Sequence, residues 1–177
     1  MILLRRRALV GAALAIPLSS ALSARGQGCG QPTPRDMEGP VYKSGAPMRA
    51  SIVEPGSKGE RLELVGRVMA VDCRPVSGAL LDFWQADEKG DYDNAGFRYR
   101  GKVTADAEGR YRIETILPPP YMGRPRHIHV KLQRPGGRVL TTQLYFPGES
   151  RGADPALVVR METRKAALAA RYDFVLG

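Results

Sequence analysis

The sequence predicts an all-β protein, an antiparallel β-sandwich preceded by an irregular N-terminal arm. Apolar and polar residues alternate in short runs, and turn-forming residues separate those runs. The chain also holds 20 Gly and 14 Pro in 177 residues, which favours many short strands and turns over a helical bundle. With 43% apolar and 25% charged residues, it has the make-up of a soluble globular protein with a sizeable core.

Residues 1–23 read as an export signal. Arg5-Arg6-Arg7 precedes an apolar stretch that reaches Leu22. That stretch runs about fifteen residues, short of the roughly 20 that a membrane-spanning helix needs. Ala21 and Ser23 are small enough for cleavage just after Ser23. The paired arginines resemble a twin-arginine signal, with a general secretory signal as the alternative. Either route implies a periplasmic or extracellular protein without a stable membrane anchor.

Residues 24–60 are rich in Gly, Pro and Ser and show no sustained period, so they read as an arm lying over the domain formed by residues 61–177. In that domain Leu62, Leu64, Gly66 and Val68 alternate as one strand, and Ala79–Trp84 reads as a second. A polar loop from Asp87 to Arg100 carries Tyr92. Gly109–Ile113 is a third strand. After Pro118-Pro119-Pro120 come His127–Leu132 and, beyond the Gly136-Gly137 turn, Val139–Phe146. Ala153 to Leu168 reads as a short helix or irregular turn, and Ala170–Leu176 as a closing strand. Cys29 and Cys73 form one disulfide or stand as two unrelated thiols.

The formal charge of +9 falls to +6 without the three signal arginines. The remaining basic residues are scattered and form no run interleaved with aromatics, which argues against nucleic-acid binding. A mild preference for anionic small molecules fits better, and the oligomeric state is left open.

The chain has only two histidines, His127 and His129. On a strand, residues i and i+2 share a face, so two imidazoles so spaced can converge on one metal ion. Ile128 and Val130 then face the core. Tyr121 and Arg124 lie just upstream and set a phenol and a guanidinium beside the imidazoles. Phenolate is a hard anionic donor that suits Fe(III). A zinc or copper site on the two histidines, or a secreted binding module without metal, are the competing readings.

The ordered set Leu64–Val68, Gly78–Asp87, Gly90-Asp91-Tyr92, Pro120-Tyr121, Arg124–His129 and Thr142–Phe146 resembles the intradiol ring-cleavage dioxygenases. Upstream, Glu38-Gly39-Pro40-Val41-Tyr42 is similar to the segment that precedes their core. The resemblance implies a ferric ion held by Tyr92 and His127 in its equatorial plane and by Tyr121 and His129 axially. It implies that Tyr121 leaves the ion as a proton acceptor and that Arg124 stabilises negative charge on the substrate ring. Trp84, Gln143 and Tyr42 are the residues expected at the substrate. The implied reaction takes a catechol-type substrate and dioxygen to a cis,cis-muconate by cleavage between the hydroxylated carbons. Fe(III) with two phenolates and one hydroxide is neutral, which lessens the cost of burying it. The link from Tyr121 to His127 is shorter than in familiar members of the family, which implies a more open pocket.

Overall fold

The computed structural model describes residues 29–148, 150–163 and 168–177, so the expected export signal lies outside the described residues. Among the described residues, nine strands form two sheets packed face to face. In chain order they are β1 (Arg61–Ala70), β2 (Leu80–Trp84), β3 (Arg100–Thr104), β4 (Arg110–Ile116), β5 (His127–Gln133), β6 (Val139–Tyr145), β7 (Arg160–Thr163), β8 (Leu168–Arg171) and β9 (Phe174–Leu176). One sheet runs β4-β1-β8-β7 with β9 also paired to β1, and the other runs β3-β2-β5-β6.

Period-2 alternation places the core. Leu62, Leu64 and Val68 of β1 and Tyr111 and Ile113 of β4 face inward. They meet Leu81 and Phe83 of β2, Ile128, Val130 and Leu132 of β5, and Leu144 of β6. The alternate residues of these strands, including Trp84 of β2, His127 and His129 of β5 and Gln143 of β6, therefore stand on the outer face of the four-stranded sheet. All four are nonetheless buried.

The N-terminal arm buries them. Asp36 N–H donates to the Thr141 carbonyl at 3.0 Å, so the arm first runs along edge strand β6. It then crosses the sheet. Gly39 lies against His129, and the Tyr42 ring sits 4.8 Å from that of Trp84. Farther on, the arm bonds to the edges of β3 and β4, through Pro47 and Arg49 to Lys102 and through Ala50 and Ile52 to Glu114. Exposed strand edges invite pairing with other chains, and here the arm occupies them. A Cys29–Cys73 disulfide joins the start of the described arm to the turn after β1.

The structure departs from the sequence-based expectation at three places. β3 begins at the last residue of the expected Asp87–Arg100 loop and runs on where no strand is expected, because its five residues include one apolar side chain, Val103. Among its described residues, the stretch Ala153 to Leu168 contains one 3-10 turn, Pro155–Leu157, and then strand β7. The closing strand is split into β8 and β9, which pair with β1 in parallel, so this sheet is mixed rather than purely antiparallel.

The crossing of β1 by the C-terminal segment requires a glycine. A Cβ on Gly66 would lie 1.7 Å from the Tyr172 carbonyl oxygen, inside backbone that cannot yield as a flexible side chain would. Gly66→Ala is therefore expected to lower the unfolding free energy by about 3 kcal/mol or more, measured by urea titration. A loss under about 1 kcal/mol would contradict the close approach.

Candidate active site

The site is assembled on β5 and on the two loops that face it. Register sets His127 opposite Tyr145, and His129 between Trp84 and Gln143. Pro125 and Trp84 hold the two imidazoles. His127 Nδ1–H donates to the Pro125 carbonyl at 2.7 Å, which turns Nε2 and its lone pair outward. His129 stacks on Trp84 with centroids 4.8 Å apart and planes within 8°.

Tyr92 comes from the loop after β2. The Asp87 side chain accepts from the backbone of Lys89 and Asp91, which closes the turn just before Tyr92. Gln85 is buried and bonds to Thr115 and the Ile116 carbonyl, fixing the start of the loop to β4. Arg100 Nε–H donates to the Asp93 carbonyl at 3.1 Å and fixes its far side.

Tyr121 and Arg124 flank a two-residue turn. Their backbones bond reciprocally, and both central residues have positive φ, 46° at Met122 and 76° at Gly123. This is the tight hairpin geometry that glycine tolerates and methionine rarely adopts. It sets the phenol and the guanidinium side by side, so the short link brings both to the site. The Tyr121 ring lies 5.1 Å from Tyr92, edge to face.

Three donor atoms converge. Tyr92 Oη is 3.2 Å from His127 Nε2 and 3.1 Å from His129 Nε2. One proton arrangement satisfies them: His129 Nε2–H donates to Tyr92, and Tyr92 O–H donates to His127 Nε2. His129 Nδ1 is buried with no hydrogen-bond partner, so in this arrangement the ring proton sits on Nε2. Burial, and then the charges of His127 and Arg124, push the His129 imidazole down to about 2. Burial also lowers His127. Both rings are neutral and able to donate a lone pair. The Tyr92 phenol is pushed up, mainly by burial, so it ionises only when a cation is at hand.

This donor set fits a hard, highly charged ion. Separations of 3.1 and 3.2 Å match adjacent ligands around one ion at bond lengths of about 2.1 Å. Among the described residues no group of three or more His, Cys, Asp or Glu is gathered, and an ion held here would have phenols and imidazoles as its ligands.

The residues expected at the substrate take different places. Arg124 lies with Nη1 3.5 Å from His127 Nε2, and its Nη2 donates to Gln143 Oε1 at 2.7 Å and Tyr145 Oη at 3.2 Å. Gln143 is fully buried, and its amide N–H donates to the Met37 carbonyl, so both ends of its amide are engaged inside the protein. Trp84 is 1% exposed and supports His129. Tyr42 donates to Asp82 at 3.2 Å and lies under the Lys131 ammonium, one ring removed from His129. Asp36 and Arg100, which sequence reasoning does not single out, hold Tyr145 and the Tyr92 loop.

A sandwich with two tyrosines and two histidines gathered under an N-terminal arm defines a ring-cleaving dioxygenase of the intradiol type. A family model described as Dioxygenase matches residues 37–177, and the chain belongs to the intradiol dioxygenase family. It is 33% identical over 172 residues to a chlorocatechol 1,2-dioxygenase of Pseudomonas sp. (strain P51), covering 79% of this chain and 68% of that protein. It is also 33% identical over 143 residues to catechol 1,2-dioxygenase 2 of Acinetobacter lwoffii, covering 66% of this chain but only 52% of that one. Among solved structures, the dioxygenase domain of a dioxygenase carbohydrate-binding protein fusion from Streptomyces sp. SirexAA-E superposes with a TM-score of 0.79. That match has 47% identity and covers 82% of this chain and 98% of that one. The 3-chlorocatechol 1,2-dioxygenase of Rhodococcus opacus 1CP gives a TM-score of 0.74 at 28% identity, covering 81% of this chain and 72% of that one.

The lowered imidazoles make the metal-free protein acid-sensitive. In the unfolded chain both histidines titrate near 6.5, so their contribution to stability is complete above that pH and is lost as pH falls. Between pH 6.5 and 5 the unfolded state binds up to two more protons than the folded one, each costing about 1.4 kcal/mol per pH unit. In chelator-treated protein, His129→Gln should reduce this slope by about one proton, read from urea titrations at several pH values. An unchanged slope would show that His129 is not held neutral by burial.

Proposed function

We propose that the protein is a non-haem Fe(III) dioxygenase that cleaves a catechol ring between its two hydroxylated carbons. The observation that carries this reading is the convergence of Tyr92 Oη with Nε2 of His127 and His129, within 3.2 Å. Tyr92, Tyr121, His127 and His129 would hold the ion. When bound, ferric iron supplies the positive charge that stabilises phenolate and catecholate oxygens and the electron-accepting capacity that opens the ring to dioxygen.

The protein's own groups account for the rest. Tyr92 gives up its phenolic proton as metal binds, so loading is coupled to proton release. Tyr121, on the hairpin tip beside exposed Met122, would likewise be ionised when it holds the ion, and its phenolate Oη is the one best placed to accept the proton of an incoming catechol hydroxyl. Arg124, beside His127, stabilises negative charge on the ring. Gly39 and the arm shield His129 from water. Both atoms of dioxygen enter the product, a cis,cis-muconate with two carboxylates. The cystine and the basic, apolar N-terminus support export to an oxidising compartment.

Iron-loaded protein should show a strong visible charge-transfer band from tyrosinate to Fe(III), together with oxygen uptake and muconate formation on a panel of catechols. Tyr121→Phe should shift the band and reduce turnover by roughly 100-fold. Protein that stays colourless after iron loading would favour a binding module, and native zinc or copper would favour a histidine-only site.

A further inference from the structure

We propose that Asp36, in the arm, is a positioning residue for this site: through Tyr145 it aims the Arg124 guanidinium. The proposal rests on the assignment of Arg124 to the substrate ring and adds the element that sets its direction.

The placement of hydrogens decides the direction. Arg124 Nη2–H needs acceptors, and the two within reach are Gln143 Oε1 at 2.7 Å and Tyr145 Oη at 3.2 Å. Either side chain can turn a hydrogen toward Arg124 instead, because an amide can flip and a hydroxyl can rotate. Two adjacent arm residues prevent this. The Met37 carbonyl accepts from Gln143 Nε2 at 2.6 Å, which leaves Oε1 facing Arg124. The Asp36 carboxylate lies 2.8 Å from Tyr145 Oη and takes its single hydrogen. The competing acceptor for that hydrogen, Gln143 Oε1, is neutral and farther away at 3.2 Å. A charged acceptor at the shorter distance wins, so Tyr145 presents a lone pair to Arg124. With Nη2 held by two fixed acceptors, Nη1 remains beside His127.

The arm is stiff enough to impose this. Around Asp36, Arg35 donates to the Val139 carbonyl, Asp36 N–H to Thr141, and Thr142 Oγ–H to the Pro34 carbonyl. A cavity of about 340 Å³ lies beside this contact, with Arg35, Asp36, Met37, Arg124 and Tyr145 in its wall.

Asp36→Asn tests the idea with little other change. The amide oxygen can still accept from Met37 N–H, while a donor replaces the acceptor that faced Tyr145. In the full chain before iron is added, arginine side-chain NMR should show hindered rotation of the Arg124 guanidinium, assigned with Arg124→Lys. Asp36→Asn and Tyr145→Phe should abolish that hindrance, and Asp36→Glu should retain it. In iron-loaded protein, Asp36→Asn and Tyr145→Phe should each lower kcat about tenfold with KM within about twofold, and the double variant should be no worse than Tyr145→Phe. The visible band should not move. An ordered Arg124 and full kcat in Asp36→Asn, or losses that add in the double variant, would overturn the proposal. Should Asp36→Asn fail to fold, Asp36→Glu and Tyr145→Phe decide the question by the same two measurements. If wild-type protein cleaves no catechol, the proposed function falls, while the NMR comparison still decides what Asp36 does.

Discussion

The alternation of side chains along β5 is the constraint on which the rest of the molecule depends. Ile128 and Val130 are drawn into the core, and that forces His127 and His129 onto the opposite face together. A one-residue slip would bury both imidazoles in hydrocarbon and expose two aliphatic side chains. Register is thus enforced by the same hydrophobic burial that holds the sandwich, and the site inherits its rigidity from the core. Neighbouring strands repeat the logic. Phe83 points inward so that Trp84 can support His129, and Leu144 points inward so that Gln143 and Tyr145 can flank the imidazoles.

An outer sheet face would normally be wet, and wet imidazoles would titrate near neutrality. The arm changes that. By laying Gly39 on His129 and bonding along β6, it makes an exterior surface into an interior one without adding a layer of secondary structure. The consequence is electrostatic. Desolvation keeps both imidazoles uncharged, and it raises the Tyr92 phenol well above its ordinary range.

Much of this is legible in the sequence and some is not. The His-x-His pair and the strand around it announce themselves through local spacing, and the two tyrosines through the resemblance to a known family. Their convergence is consistent with those patterns because strand geometry converts spacing into direction. The resemblance implies substrate contacts at Trp84, Gln143 and Tyr42, and a motif does not say which protein atoms such a residue also meets. The structure commits Gln143 to Met37 and Arg124, and Tyr42 to Asp82. Asp36 leaves no signal, because its partner Tyr145 lies 109 positions away and no local pattern connects them. β7 and the parallel pairing of β8 and β9 are hidden for a similar reason: they are short, and their sheet is organised around β1, about a hundred residues upstream.

The charges around the site point the same way as its donors. Arg100 is almost fully buried yet donates to the carbonyls of Asp93 and Val41, and Arg124 donates to neutral Gln143 and Tyr145. These partners do not cancel either positive charge. On Coulombic grounds alone, two guanidinium groups facing neutral phenols and imidazoles make a poor host for a cation. Their effect on each ligand type is nevertheless opposite in sign. They favour loss of the proton from Tyr92 and oppose gain of one by His129. A positive surround therefore leaves the imidazole lone pairs free and rewards anionic oxygen at the same point. The ion that gains most is one whose own charge is already neutralised by phenolate and catecholate ligands, because the flanking arginines then stabilise the oxygens more than they repel the metal.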